Sequence, residues 1–267
     1  MKFFSHSNTA SLWTPRDAIT AFALLLLFLI AELPAQDFTY TNINGTITIT
    51  GYTGPGGNVT IPSTITGLPV TSIGAYSFQL LTNLTSVTIP DSVTTMQNAS
   101  VGCFGNCIGG GAFRGCSNLT KVVVGKGLSF LGLGAFFDCS NLLGVYFKGN
   151  APTPGYTLFG AVEVFNANGP TVYYLPGTTG WVSTFAGIPA ILWNPLAQTN
   201  DASFGMHQNR FGFNITGTPD IPIVVEATTN LASWVPLQSS TLTNGLIHFS
   251  DPQWTNYPGR LYRIRSP

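Results

Sequence analysis

Side chains able to support acid–base or nucleophilic catalysis are few here and are not gathered in a familiar motif. The chain has 3 His and 10 Asp or Glu residues. It lacks a Gly-x-Ser-x-Gly elbow, a His-Glu-x-x-His pair and a Gly-x-x-x-x-Gly-Lys-Ser/Thr phosphate loop. Asp201, His207 and Glu226 could meet in space as an unrecognised hydrolase would require, but no spacing favours this trio. We therefore predict no catalytic residue and expect that the protein is not an enzyme.

A metal or cofactor site has equally little support in the sequence. The four cysteines are Cys103, Cys107, Cys116 and Cys139. They are not spaced as paired Cys-x-x-Cys motifs and no His falls near them, so a zinc site is not expected. The acidic residues form no dense Asp/Asn loop of the kind that binds Ca²⁺. We predict no metal and no cofactor.

The cysteines fall into two pairs with different expectations. Cys103 and Cys107 lie close together and, in an oxidising compartment, could form a local disulfide or remain as thiols. Cys116 and Cys139 occupy equivalent positions in two successive sequence repeats. Their side chains should point inward in parallel, which favours buried thiols over a disulfide.

Composition excludes several classes of protein. Lys plus Arg number 10, equal to Asp plus Glu, so the formal net charge of the 267 residues is zero. Because there is no basic excess to neutralise phosphates, we do not expect a nucleic-acid partner. Charged residues make up only 7%, and the hydrophobic fraction of 44% is too high for a disordered chain.

The N-terminus resembles an export signal. Residues 18–31 are apolar except for Thr20, with Lys2 and Arg16 upstream and Pro34-Ala35 after them. A helix of about 14 residues rises about 21 Å, short of a hydrocarbon core roughly 30 Å thick. We therefore predict a Sec signal peptide over residues 1–35, with an uncleaved anchor as the alternative. The protein would be secreted or held at the cell surface, with the periplasm as another destination, and would have no other membrane segment.

An internal repeat determines the predicted fold. Three segments share the pattern Leu-x-x-Val-x-(Ile/Val/Phe), beginning at Leu84, Leu119 and Leu142, and a Phe stands six residues before each Leu. Two of these Phe residues, Phe113 and Phe136, are 23 residues apart. A period of roughly 20–29 residues with this apolar pattern is typical of a leucine-rich repeat. One coil cannot bury enough apolar surface to fold alone, so the coils must stack into a solenoid.

The repeat also resembles a known family. Residues 59–150 follow Ile-Pro-x-x-Val-x-x-Ile-Gly-x-x-Ala-Phe-x-x-Cys-x-x-Leu-x-x-Val, which is similar to the BspA-type bacterial leucine-rich repeat. The resemblance implies a secreted or surface protein used in adhesion and recognition, with no catalytic residues. This sequence departs from the pattern at Gly125-Lys126-Gly127, at Met96 and in an insertion over residues 97–108.

These signals predict a mainly β protein: a short BspA-type leucine-rich-repeat solenoid with flanking caps and a small C-terminal β-sandwich-like module. Alternating strands indicate an N-terminal β cap, and the last segment has short strands separated by polar turns. The predicted divisions are a signal peptide at 1–35, a cap at 36–60, repeats at 61–150, a second cap at 151–196 and the β-rich module at 197–267. The strands predicted in the module are Arg210–Thr216, Ile223–Thr228, Trp234–Gln238, Leu246–Ser250 and Leu261–Arg265.

The outward side of the repeat strands is the surface best suited to binding. Side chains alternate along a strand, so the neighbours of the inward residues face solvent, and solenoids use such faces for recognition. The predicted binding residues are Ser86, Thr88, Lys121, Val123 and Tyr146. The alternative is that three coils form too small a platform for binding and that this side of the sheet is merely solvated.

We expect a protein or glycan partner at a cell surface, and the sequence does not indicate an oligomeric state. The leading hypothesis is a non-catalytic interaction protein. The alternative is a carbohydrate-binding accessory protein that uses exposed aromatic side chains, since such rings can stack on sugars. The aromatic candidates are Tyr146, Trp181, Trp193, Trp234 and Trp254.

Overall fold

The computed structural model describes residues 37–98, 111–155, 164–166, 169–257 and 259–266. The predicted signal peptide, most of the insertion, and the Cys103–Cys107 pair lie outside the described residues. Across the ranges it does describe, no helix is long and apolar enough to cross a bilayer.

The chain winds so that successive coils add strands to two mainly parallel sheets. The sheet that contains the Leu-x-x-Val-x-Ile segments is called the repeat sheet, and its strands are β3 (Gly57–Thr60), β6 (Leu84–Ile89), β8 (Lys121–Val124), β10 (Gly144–Phe147), β12 (Thr171–Tyr174), β13 (Thr184–Phe185) and β14 (Ile188–Leu192). They lie side by side in the order β13-β14-β12-β10-β8-β6-β3. All of its pairings are parallel except the terminal hairpin of β13 with β14.

The opposite sheet, called the return sheet, has the order β1-β2-β5-β7-β9-β11, with β4 paired to β5. Its strands are β1 (Phe38–Ile43), β2 (Thr46–Tyr52), β4 (Thr64–Ile65), β5 (Leu68–Ile73), β7 (Thr95–Met96), β9 (Phe130–Leu131) and β11 (Thr153–Pro154). The antiparallel β1–β2 hairpin starts this sheet and occupies the predicted N-terminal cap. The prediction of a mainly β leucine-rich-repeat solenoid is confirmed.

The inward residues of the repeat form one core between the two sheets. Leu119, Val122 and Val124 are fully buried, and their equivalents in neighbouring coils are buried beside them. The repeated Phe residues stack through the core: ring centroids are 4.6 Å apart for Phe78–Phe113 and 5.4 Å for Phe113–Phe136. Each coil therefore buries its side chains against the next one, as a solenoid requires.

The sequence boundary at residue 150 is not a break in the solenoid. Phe165 stacks on Phe136 at 5.7 Å, which adds another ring to the aromatic column. Strands β12 and β14 continue the parallel ladder beyond β10. The segment predicted as a cap thus contributes two more rungs, β12 and β14, and β14 also forms the terminal hairpin with β13. These two strands were not recognised as repeats from the sequence, because their spacing and residue types depart from the Leu-x-x-Val pattern.

The thiols of Cys116 and Cys139 are free and buried, as predicted. Each S–H donates to a backbone carbonyl of the preceding coil: Cys116 to Phe78 at 3.0 Å and Cys139 to Phe113 at 3.1 Å. Burial raises the pKa of Cys116 to about 11 and that of Cys139 to about 12. These side chains are therefore neutral members of the core rather than reactive groups.

Glycine replaces the usual residues at Gly125 and Gly127 for a steric reason. A Cβ at Gly125 would lie 2.5 Å from the Pro90 carbonyl group, and one at Gly127 would lie 2.2 Å from the Asp91 carbonyl oxygen. The turns of successive coils approach too closely there for any side chain.

The C-terminal region forms two further sheets that share one core. In the first sheet β17 pairs with β15, β16 and β20; in the second, β18 lies between β19 and β21. Their bounds are β15 (Leu196–Ala197), β16 (Gly205–His207), β17 (Arg210–Thr216), β18 (Pro222–Thr228), β19 (Val235–Thr241), β20 (Leu246–Asp251) and β21 (Leu261–Arg265). Two single-turn 3₁₀ segments flank β20, at Thr243–Gly245 and Trp254–Asn256. We call residues 196–266 the C-terminal module.

The module rests on the outward side of the repeat sheet. Tyr173 of β12 is buried in the module's hydrophobic core, and Tyr146 and Ile191 pack against that core. The indole N–H of Trp193 donates to the carbonyl of Pro222 at 2.9 Å. Residues 38–267 consequently form one compact unit.

Candidate recognition face

The five predicted binding residues occupy outward positions on three adjacent strands. Ser86 lies beside Lys121 across β6 and β8, and Thr88 lies beside Val123. Val123 in turn lies beside Tyr146 of β10. All five side chains are half-buried. The repeat geometry therefore assembles them into one continuous surface, which we call the outward face.

One end of the outward face is covered. The Tyr146 ring stacks on Tyr173, with centroids 4.8 Å apart and planes 15° from parallel, and it packs against the module. Burial raises the pKa of the Tyr146 phenol well above its usual value. Alternation along the strand predicted that the Tyr146 side chain faces solvent. In the structure it packs between the solenoid and the module instead. Tyr173, which that interpretation missed, could have been found by aligning the Thr-Val-Tyr-Tyr strand with the repeats.

The other end of the outward face is open and polar. Asn58 and Thr60 of β3 are exposed, next to half-buried Ser86 and Thr88 of β6. The Ser86 hydroxyl donates to the side-chain carbonyl of Asn58 at 2.7 Å, and Thr85 donates to the same oxygen at 3.2 Å. This uncharged row of hydrogen-bonding groups lies on a continuous parallel sheet.

Lys121 stands where the open and covered parts meet. Its ammonium group lies 5.7 Å from the centre of the Tyr146 ring, within range of a cation–π contact. Burial lowers the pKa of Lys121, and the nearby positive charge of Arg265 lowers it further, while Glu226 acts in the opposite sense. The module therefore places charges of both signs near this lysine.

Glu226 is the buried charge at the edge of this region. Only 4% of the residue is exposed, and its two carboxylate oxygens accept from Arg263 at 2.8 Å and from Arg265 at 2.5 Å. Burial alone would raise the pKa of Glu226, but the hydrogen bonds and charges of the two arginines outweigh it and hold the pKa below its usual value. The carboxylate is thus ionised and orients both guanidinium groups.

Glu226→Gln should lower the free energy of unfolding by about 2 kcal/mol at pH 7, since the two partly exposed arginines lose a buried counter-charge. A lowered folded-state pKa stabilises the fold fully above the unfolded value of about 4.3, and that stabilisation disappears as the pH falls through the folded pKa. Urea titrations at pH 7 and pH 3 should therefore show the gap between the variant and the wild type closing in acid.

Asp220→Asn provides the matched control, because Asp220 is exposed and makes no ion pair within the described ranges. It should stay within about 0.5 kcal/mol of the wild type at both pH values. A Glu226→Gln gap of equal size at pH 7 and pH 3 would contradict the assigned role of the carboxylate.

The tryptophans proposed for glycan stacking are half-buried and held by neighbours. They are Trp181, Trp193, Trp234 and Trp254. The indole N–H groups of Trp193 and Trp254 donate to backbone carbonyls at 2.9 and 3.2 Å. Trp181 packs against the solenoid core, and the Arg263 guanidinium lies 4.1 Å from the centre of a Trp234 ring. These four rings therefore pack against or hydrogen-bond to neighbouring residues of the protein.

The structure does not assemble the trio considered for a hydrolase. The Asp201 carboxylate accepts from Ser203 and Asn214, and Glu226 is occupied by two arginines. His207 lines a polar surface pocket together with His248, and neither Asp201 nor Glu226 lines that pocket. No cluster of three or more His, Cys, Asp or Glu residues in the described ranges is arranged to hold a metal ion.

The repeat segment matches a known family of sequences. The sequence model described as "BspA type Leucine rich repeat region" matches residues 57–159 in six copies. This segment is therefore similar to the BspA-type leucine-rich repeat. Leucine-rich repeat proteins of this kind are typically non-enzymatic, and BspA-type proteins are commonly exported or surface proteins of bacteria. No curated protein matches the chain.

Three solved bacterial leucine-rich repeat proteins are similar to the chain. The T. pallidum protein is 23% identical with a TM-score of 0.36, covering 59% of this chain and 80% of its own. The Bacteroides capillosus protein is 25% identical with a TM-score of 0.39, covering 52% and 96%. The Bacteroides ovatus protein is 20% identical with a TM-score of 0.35, covering 60% and 37%.

Proposed function

We propose that this protein is a non-catalytic recognition protein that holds a polypeptide partner on the open part of its outward face. The observation that carries the proposal is a row of hydrogen-bonding groups at strand spacing, which we call the open row and which consists of Asn58, Thr60, Ser86 and Thr88. Inward repeat positions are used by the core, whereas in this row Asn58 and Thr60 are exposed and Ser86 and Thr88 are half-buried. Solenoid proteins use such surfaces to bind partners.

A polypeptide suits this surface better than a glycan does. Hydroxyl and amide side chains on a flat sheet can pair with backbone and side-chain groups of an extended chain. Glycan binding would be favoured by exposed aromatic rings, but the four tryptophans beyond the repeats are engaged in packing and hydrogen bonds. The proposal therefore takes protein recognition as the function.

Recognition would take place outside the cytoplasm, in the secreted form or at the cell surface. The apolar segment of residues 18–31, preceded by Lys2 and Arg16 and followed by Pro34-Ala35, supports export. The common location of BspA-type proteins supports the same destination.

A peptide library displayed on phage and selected on the purified protein tests this function. Selected peptides should lose affinity by about tenfold or more when Thr88→Arg places a bulky charge on the open row. Thr95→Arg is the matched control, because Thr95 is also a half-buried threonine on a strand, but on the return sheet. Calorimetric titration measures both affinities, and thermal melts establish that both variants fold.

Peptides that bind both variants as tightly as the wild type would contradict the proposed face. Equal losses in both variants would also contradict it, since the return sheet is not part of the proposed surface.

A further inference from the structure

A pocket of about 230 Å³ opens at the junction between the repeat sheet and the module. Lys121, Leu143, Tyr146 and Tyr173 line it from the solenoid, and Pro222 lines it from the module. We call it the junction pocket. It adjoins the open row directly, since Lys121 lies beside Ser86 in the sheet register.

The charged group in this pocket is the Lys121 ammonium, on which the Glu226 carboxylate acts without forming an ion pair. In the part of the chain that the structure describes, the ion pairs are Arg114–Asp138, Arg260–Asp251, and the two that Arg263 and Arg265 make with Glu226. Lys121 takes part in none of them. Near the pocket, Glu226 is shared by two arginines, so the positive charge of this region exceeds the negative charge.

The burial of Lys121 makes this excess significant. A partly desolvated ammonium loses hydration and gains from an anion that replaces it. The lowered pKa of Lys121, caused first by burial and then by Arg265, reflects the same unfavourable environment for its charge. An entering carboxylate would reverse that effect.

The size of the pocket limits what can enter. Pockets for small organic ligands usually measure roughly 300–1,000 Å³, so a space of about 230 Å³ suits a single side chain better than a whole cofactor or metabolite. Its walls are largely apolar and aromatic, which fits the methylene stem of an acidic side chain with its carboxylate at Lys121. The rest of a polypeptide could continue along the adjoining open row.

We propose that the junction pocket receives one Asp or Glu side chain of the partner polypeptide and pairs its carboxylate with Lys121. This inference rests on the proposed function and adds the chemistry of the partner: an acidic residue anchors it at the edge of the module.

The test uses the phage-selected peptides with single substitutions on both sides. Selected peptides should carry an acidic residue at a fixed position. Lys121→Gln should weaken their binding about tenfold or more, as should the change of that acidic residue to its amide. The two changes together should reduce the affinity little more than either change alone, because both remove the same contact. Binding of the wild type should also weaken as NaCl rises from about 50 to 500 mM.

Lys148→Gln is the matched control, because it removes the same charge from an exposed lysine just after β10. It should leave affinity within about twofold of the wild type. Peptides that respond to Thr88→Arg but bind Lys121→Gln normally would overturn the junction pocket while leaving the recognition face intact. Peptides that bind Thr88→Arg with the same affinity as the wild type would overturn both proposals.

Competition with free N-acetylglutamate distinguishes a carboxylate that belongs to a polypeptide from that of a free acid. It should compete with the peptides only weakly, because it lacks contacts with the open row. Competition by N-acetylglutamate at the peptide's own affinity would make the occupant a free acid and overturn the assignment to a polypeptide.

Discussion

Leu119→Asp should abolish folding of the unit formed by residues 38–267. Leu119 is fully buried in the solenoid core, and the coils on both sides share that core. An unpaired carboxylate there costs several kcal/mol or more, comparable with the roughly 5–15 kcal/mol that stabilises a typical domain. Far-UV circular dichroism and size-exclusion chromatography should show loss of strand signal and of a compact species.

Leu143→Asp is the matched control on another repeat. Leu143 is 74% exposed, so the same substitution should change the free energy of unfolding by no more than about 0.5 kcal/mol. If Leu119→Asp unfolded in a cooperative transition close to that of Leu143→Asp, the proposal that neighbouring coils share one core would be contradicted.

Tyr146→Ala should destabilise the protein by about 3 kcal/mol, because it removes a ring packed between the solenoid and the module. From sequence alone, an outward position on β10 would have predicted a change of no more than about 1 kcal/mol. Urea denaturation followed by far-UV circular dichroism measures the loss.

Tyr146→Phe is the control, since it retains the stacked ring and removes the hydroxyl alone. It should remain within about 1 kcal/mol of the wild type. If Tyr146→Ala were as stable as Tyr146→Phe, the aromatic stack on Tyr173 would not contribute to the junction.

The repeat could be predicted from sequence because its signal is local and recurs. Leu119, Val122 and Val124 stand at strand spacing, and the same spacing returns in the neighbouring coils. Core burial then follows from alternation along each strand, so the inward residues and the buried thiol of Cys116 were predicted correctly. Strands Arg210–Thr216 and Leu261–Arg265 of the module were also predicted with their observed bounds, from apolar alternation between polar turns.

The arrangement around the site could not be predicted in the same way. Tyr146, Tyr173 and Pro222 are far apart in sequence, and their contact depends on where the module docks rather than on a local pattern. The pairing of Glu226 with Arg263 and Arg265 requires the register of β18 against β21, which no motif encodes. The short strands β15 and β16 were missed because two or three residues carry too little periodicity.

The most direct test of the proposed recognition face is methyl NMR of the protein labelled at Thr and Val, recorded with and without a selected peptide. The methyl groups of Thr60, Thr88 and Val123, on the outward face, should shift or broaden on binding. Those of Thr95 and Thr153, on the return sheet, should not change. Perturbation confined to the return sheet or to the far strands of the module, with Thr60, Thr88 and Val123 unchanged, would contradict the proposal that this solenoid recognises its partner through the outward face.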